Sequence, residues 1–149
     1  MPHAVQAGQL VGSWRLLAVS VRMEDTGEVA HPFGANPAGY AIYELGGRMM
    51  VILTASGRPS IANDAGAAAL FRGMTAYTGR YRMDGDRIVF AVDVAWDPAL
   101  EGTEVVRFID LRGDTLTLTT AVEDHPLYPG RKFRASIAWK RDEIGSLGS

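Results

Sequence analysis

Three histidines, His3, His31 and His125, and no cysteine limit the side-chain chemistry open to this chain. Without thiols there is no disulfide, no thiolate metal site and no cysteine nucleophile. Three scattered imidazoles do not make a histidine-rich zinc site, so no metal is expected. No Gly-rich phosphate loop, nucleophile elbow or metal-ligand spacing occurs, so no cofactor is expected either. What remains is a set of tyrosines, one arginine and two carboxylates. A buried tyrosine hydroxyl ordinarily finds a partner. Tyr43, Tyr77 and Tyr81 could bond one another, Arg107 or a ligand carbonyl. A mutual structural bond is the commoner outcome, whereas a Tyr–Arg pair can polarise an oxygen as an electrophilic catalyst does. Asp93 and Glu104 are the candidate general bases. His31 and His125 fall in loops, where an imidazole is ordinarily just solvated. No catalytic residue is assigned.

These groups must be held by short strands. Asp25-Thr26-Gly27, Leu45-Gly46-Gly47, Asp84-Gly85-Asp86 and Arg112-Gly113-Asp114 each separate two apolar-rich runs. Glycine supplies the positive φ of a tight hairpin, and Asp tolerates the neighbouring positions. Between the turns the period is two. Tyr77, Gly79, Tyr81 and Met83 alternate with Thr78, Arg80 and Arg82. Ile88, Phe90, Val92, Val94 and Trp96 share one face of the next run, and Arg87 and Asp93 share the other, so Asp93 is expected in solvent. Leu116 and Leu118 alternate with threonines, and Phe133, Ala135, Ile137 and Trp139 alternate with Arg134, Ser136 and Lys140. A one-residue slip would turn each apolar row to water, which pins the registers.

Other runs are less decided. Residues 13–24 read as a long strand with apolar residues on both faces, and 39–44 pairs with 48–54. In 103–111 either Val106 and Phe108 face inward, or Arg107 does so beside Val105 and Ile109. One stretch reads as helix, 65–71, capped by Asn63 or Asp64 and ended by Gly73. About eight antiparallel strands and one short helix or lid imply an all-β, closed up-and-down barrel, because closure removes exposed edges. Segments 56–75 and 123–132 are long for hairpin connections and are expected to form a lid at the mouth. Tyr77, Tyr81, Phe90 and Trp96 lie in two rows joined by the 84–86 turn, so they should share the inner wall.

Composition sets the frame. The chain has 149 residues, which fits one domain, expected over 9–141 with a flexible tail at 142–149. With 47% hydrophobic and 21% charged residues it is an ordinary globular chain. Fifteen Lys and Arg against 17 Asp and Glu argue against nucleic acid as partner. No run approaches the ~20 apolar residues that cross a bilayer. The first residues lack a basic and then apolar leader, so a cytoplasmic location is expected, with no membrane partner.

Gly12-Ser13-Trp14, opening the first strand after Leu10-Val11, resembles the Gly-x-Trp signature of lipocalins. With His31-Pro32-Phe33-Gly34, Gly39-Tyr40-Ala41-Ile42-Tyr43, Gly47-Arg48-Met49, Tyr77 to Tyr81, Gly102 to Arg107, Gly113 to Leu118 and Trp139-Lys140-Arg141, the chain is similar to the small bacterial and fungal lipocalin-like domain family. The resemblance implies a calycin-type barrel. It implies that an arginine near the end of the last strand covers Trp14, with Arg141, Lys140 and Arg107 as the contenders. It also supports placing Tyr43 and Met49 on the inner wall. Many relatives carry a His pair on the strand after the Asp-Gly turn; here Phe90 and Ala91 stand there, so no imidazole role is carried over. The expected function is binding of a small, mainly apolar molecule by Tyr43, Met49, Tyr77, Tyr81, Phe90, Trp96 and Arg107. The alternative is a cofactor-free isomerase or cyclase acting on a hydrophobic natural-product intermediate, since a shaped cavity can hold a flexible substrate in a reactive conformer. A homodimer is left open.

Overall fold

The structure, a computed structural model, describes residues 4–60, 63–124 and 129–142. Its strands follow the alternation and the turns. In chain order they are β1 (Gly12–Met23), β2 (Val29–Ala30), β3 (Ala38–Tyr43), β4 (Arg48–Thr54), then helix α1 (Asp64–Arg72), β5 (Met74–Asp84), β6 (Arg87–Ala95), β7 (Glu104–Arg112), β8 (Thr115–Thr119), β9 (Glu123–Asp124) and β10 (Lys132–Arg141). Each long strand pairs antiparallel with the next, and β1 pairs with β10 along most of its length, which closes an eight-stranded barrel. The two-residue strands β2 and β9 extend it at the edges of β1 and β10.

One end is plugged. A 3-10 turn, Ala7–Leu10, buries Leu10, whose carbonyl accepts a hydrogen bond from Trp14 Nε1 at 2.9 Å. Trp14 is fully buried, and Arg141 is the arginine that covers it, 4.2 Å from the ring centroid. Arg141 also donates to the carbonyls of Val11 (3.1 Å) and Gln9 (2.6 Å). The cation–π contact is worth about 0.5–2 kcal/mol. At the opposite end lie α1, the Pro98–Leu100 turn and Phe33. Helix α1 starts one residue before the expected 65–71 and ends one after; Asn63 Oδ1 accepts from Gly66 N at 2.8 Å.

Two bulges change the registers. In β1 the shift between Leu16 and Ala18 leaves Leu17 partly in solvent, which accounts for the apolar residues on both faces of that run. In β6 the pairs Thr78–Val94 and Gly79–Val92 leave Asp93 as the extra residue. The uninterrupted row expected from Ile88 to Trp96 is therefore wrong beyond Val92: parity flips, Val94 is 60% exposed, and Ala95 packs on the core instead. Of the lid segments, Met74 and Thr75 belong to β5, and Glu123–Asp124 pairs with Lys132 and Phe133. Residues 61–62, 125–128 (with His125) and the expected tail from 143 lie outside the described residues. No described helix is long and apolar enough to cross a membrane.

Candidate functional site

Between the Trp14 plug and the α1 end the barrel encloses a cavity of about 210 Å³. Its wall is mostly aliphatic and aromatic: Val51 and Leu53 from β4, Phe90 from β6, Val105 from β7, Leu118 from β8, and Ile137 and Trp139 from β10. Phe33, Leu100 and Trp96 stand toward the mouth.

All the expected wall residues except Tyr81 line this cavity: Tyr43, Met49, Tyr77, Phe90, Trp96 and Arg107. Tyr81 is buried and inward, but it sits nearer the plugged end, where its hydroxyl donates to the Glu44 carbonyl at 2.9 Å. Its ring packs edge-on against Tyr43, centroids 5.1 Å apart, behind the cavity. Trp96 reaches the site by a different route from the one expected. It follows the flipped end of β6, its indole N–H donates to the Phe71 carbonyl of α1 at 3.1 Å, and its ring lies 5.8 Å from Phe71. It thus joins the helix to the rim.

The register settles Arg107. It stands opposite Ile88, whose side chain is fully buried, so it faces in with Val105 and Ile109, and Val106 faces out. Its guanidinium donates to the carbonyl of its own neighbour, Val106, at 2.8 Å. No ion pair among the described residues involves it. The pairing of β7 with β8 begins only at Phe108 and Thr119, so Arg107 lies where the two strands part. There it borders both the cavity and an outer hollow lined by Thr103, Ala121 and Glu123.

The polar groups in the wall are few, and apart from the bonds of Arg107 and Trp96 they are largely unengaged. Among the described residues neither the Tyr43 nor the Tyr77 hydroxyl makes a protein hydrogen bond, contrary to the mutual bond expected. Trp139 Nε1 is buried with no acceptor. Sequence reasoning missed Trp139 as a site residue. Its alternation with Lys140 placed it inward, but nothing in the pattern distinguishes an indole with a partner from one without. Burial pushes the Tyr43 hydroxyl well above the ordinary tyrosine range, and the neighbouring Tyr77 and Tyr81 add to this. Burial raises Tyr77 too, while the positive charge of Arg107 pulls it back. Both tyrosines are neutral donors at physiological pH.

The candidate bases point elsewhere. Asp93 is exposed and accepts two hydrogen bonds from Arg48 (2.9 and 3.2 Å), which hold its carboxyl below the usual range. Glu104 pairs with Arg82 at 2.8 Å on the outer surface. His31 is exposed in its loop.

A second hollow lies outside the barrel wall, about 520 Å³ and open, over β3 to β6. Tyr40, Ile42, Met50, Ile52 and Val94 form it. It holds almost no polar group, so it lacks what orients a small ligand.

No curated protein matches the chain. A solved structure that it resembles, EF1p2_mFAP2b bound to DFHBI, is 14% identical, with 91% of this chain and 97% of that one covered at a TM-score of 0.43. The family described as "Lipocalin-like domain" matches residues 11–142. With the closed barrel, the Gly-x-Trp opening and the covering Arg141, that match shows that the chain belongs to the lipocalin-like domain family.

Proposed function

We propose that the barrel binds a small, mainly apolar molecule in its inner cavity. The observation that carries this is a mainly apolar inner cavity whose wall includes the Tyr43 and Tyr77 hydroxyls, neither of which has a protein partner among the described residues. Each buried donor left without an acceptor costs about 1–3 kcal/mol. Two partnerless hydroxyls on one cavity are better explained by a ligand that engages them than by core packing. Tyr43, Met49, Tyr77, Phe90, Trp96 and Arg107 are its contacts in this reading. Liquid water occupies about 30 Å³ per molecule, so the cavity corresponds to roughly seven waters, or a ligand on the order of ten non-hydrogen atoms. A single ring with a short arm fits; a long lipid does not.

The test is to fill the space. Phenylpropanol has the right size and an oxygen for the donors. Val105→Phe adds a ring from β7 into the cavity. Its binding, followed by amide chemical shifts, should fall by about tenfold or more, since the ligand loses its volume. The fold should be retained by the same spectra. A folded Val105→Phe protein that binds phenylpropanol as well as the parent does would contradict the reading.

A further inference from the structure

Resting on that reading, we propose that the ligand is an anion: a small apolar acid whose carboxylate is held by Arg107, with Tyr77 beside it. The guanidinium is the only charged group among the described residues of the cavity wall. It stands on the inner face of β7 between Val105 and Ile109, in the middle of the apolar row. It is half-buried, bordering the outer hollow as well, and on the cavity side no counter-charge of the protein meets it. Among the described residues no carboxylate pairs with Arg107, and its one protein bond is to the adjacent Val106 carbonyl. The arginines that do face acids among the described residues, Arg48, Arg82, Arg87, Arg112, Arg131 and Arg141, lie outside the cavity wall.

A guanidinium presents several N–H groups in a planar fork that matches a carboxylate, so the bond to Val106 leaves the fork able to take one. Tyr77 lies close enough to Arg107 to feel its charge, and its hydroxyl is unengaged. The pair offers a carboxylate both a charge and a neutral donor. The position of Arg107 where β7 and β8 part places the charge at the side of the barrel, with the apolar wall below for the ring.

The test compares phenylpropionate with phenylpropanol, which share ring and chain and differ in charge. Affinities are read from amide and indole shifts in NMR for the parent, Arg107→Gln and Arg107→Lys. The parent should prefer the acid by about tenfold or more; Arg107→Gln should abolish that preference, weakening the acid by about tenfold more than it weakens phenylpropanol; Arg107→Lys should keep part of it. Equal affinities in the parent, or an acid preference that survives Arg107→Gln, would overturn the anion assignment while the cavity reading stands. Failure of both probes to bind the parent would overturn the two together.

A separate observation concerns the outer wall. We infer that the face of β3 to β6 is a self-association surface whose occupant is a second copy of this chain. Tyr40, Ile42, Met50, Ile52 and Val94 are each 46–60% exposed, where the outer faces of β1 and β10 carry Arg15, Arg134 and Lys140 and the far end of β5 carries Arg80 and Arg82. The registers put Ile42, Met50, Thr78 and Val94 in one cross-strand ridge and Tyr40, Ile52 and Ala76 in another. Val51, Tyr77 and Ala95 also line the hollow between them. A surface that carries both a ridge and a groove can pack on itself about a two-fold axis. Half of five large side chains is on the order of 500 Å², so two copies would bury on the order of 1,000 Å², the lower limit for a specific interface. Sedimentation at about 100 μM should show a dimer for the parent and a monomer for Ile52→Lys with Met50→Lys, since buried lysines would be left without counter-charges. A monomeric parent, or a dimer that survives both lysines, would overturn it.

Discussion

Tyr43 is fully enclosed, yet its hydroxyl is given no protein acceptor. That combination makes a prediction about alkali. The native state holds Tyr43 and Tyr77 protonated because burial raises both above the ordinary value of 10.0. The unfolded chain releases these protons near that value. Stability contributed by a raised group is complete below the unfolded pKa and is lost as pH climbs toward the folded one. The parent should therefore lose stability above about pH 10, by about 1.4 kcal/mol per pH unit for each tyrosine held neutral. Tyr43→Phe should remove one such contribution from the slope in urea denaturation between about pH 9 and 11. At neutral pH it should leave stability unchanged or raise it by up to about 1 kcal/mol, because it deletes an unpaired polar atom. An unaltered alkaline slope would mean that Tyr43 is not held neutral by the fold. The covering of Trp14 followed from the resemblance to lipocalins, which left Arg141, Lys140 and Arg107 as contenders; the contact is made by Arg141. The unengaged state of Trp139 was not legible, because satisfaction of an N–H depends on atoms brought in by other strands.

At the level of elements the β5–β6 hairpin decides the shape of the mouth. Alternation read forward from Ile88 carried Val94 and Trp96 inward; the extra residue Asp93 turns Val94 outward, and Trp96 reaches the rim only from beyond the end of β6. The one signal in sequence was Gly79, since a glycine within a strand often marks a bulge or a close backbone approach. A Cβ at Gly79 would overlap the Ala91 carbonyl and crowd the backbone of Val92. Gly79→Ala must push the two strands apart at the bulge. We expect a loss of about 2–4 kcal/mol in chemical denaturation, as for other forced overlaps in a packed core. A loss below about 0.5 kcal/mol would show that the hairpin relaxes freely there. The helix, by contrast, was legible to within a residue at each end, because Asn63 and Gly73 flank a run of alanines.

For the whole molecule, the turns at 25–27, 45–47, 84–86 and 112–114 made the closed barrel legible, since they join successive apolar runs as antiparallel neighbours. They did not make legible which of two hollows matters. The outer one is larger, the inner one enclosed and edged with unengaged donors. Function at the inner site is the central claim, and methyl groups report on it directly. Intermolecular NOEs from bound phenylpropanol should reach the methyls of Val51, Val105, Leu118 and Ile137, which line the inner cavity. NOEs to Ile42, Ile52 and Val94 on the outer face, with none to the inner set, would contradict it.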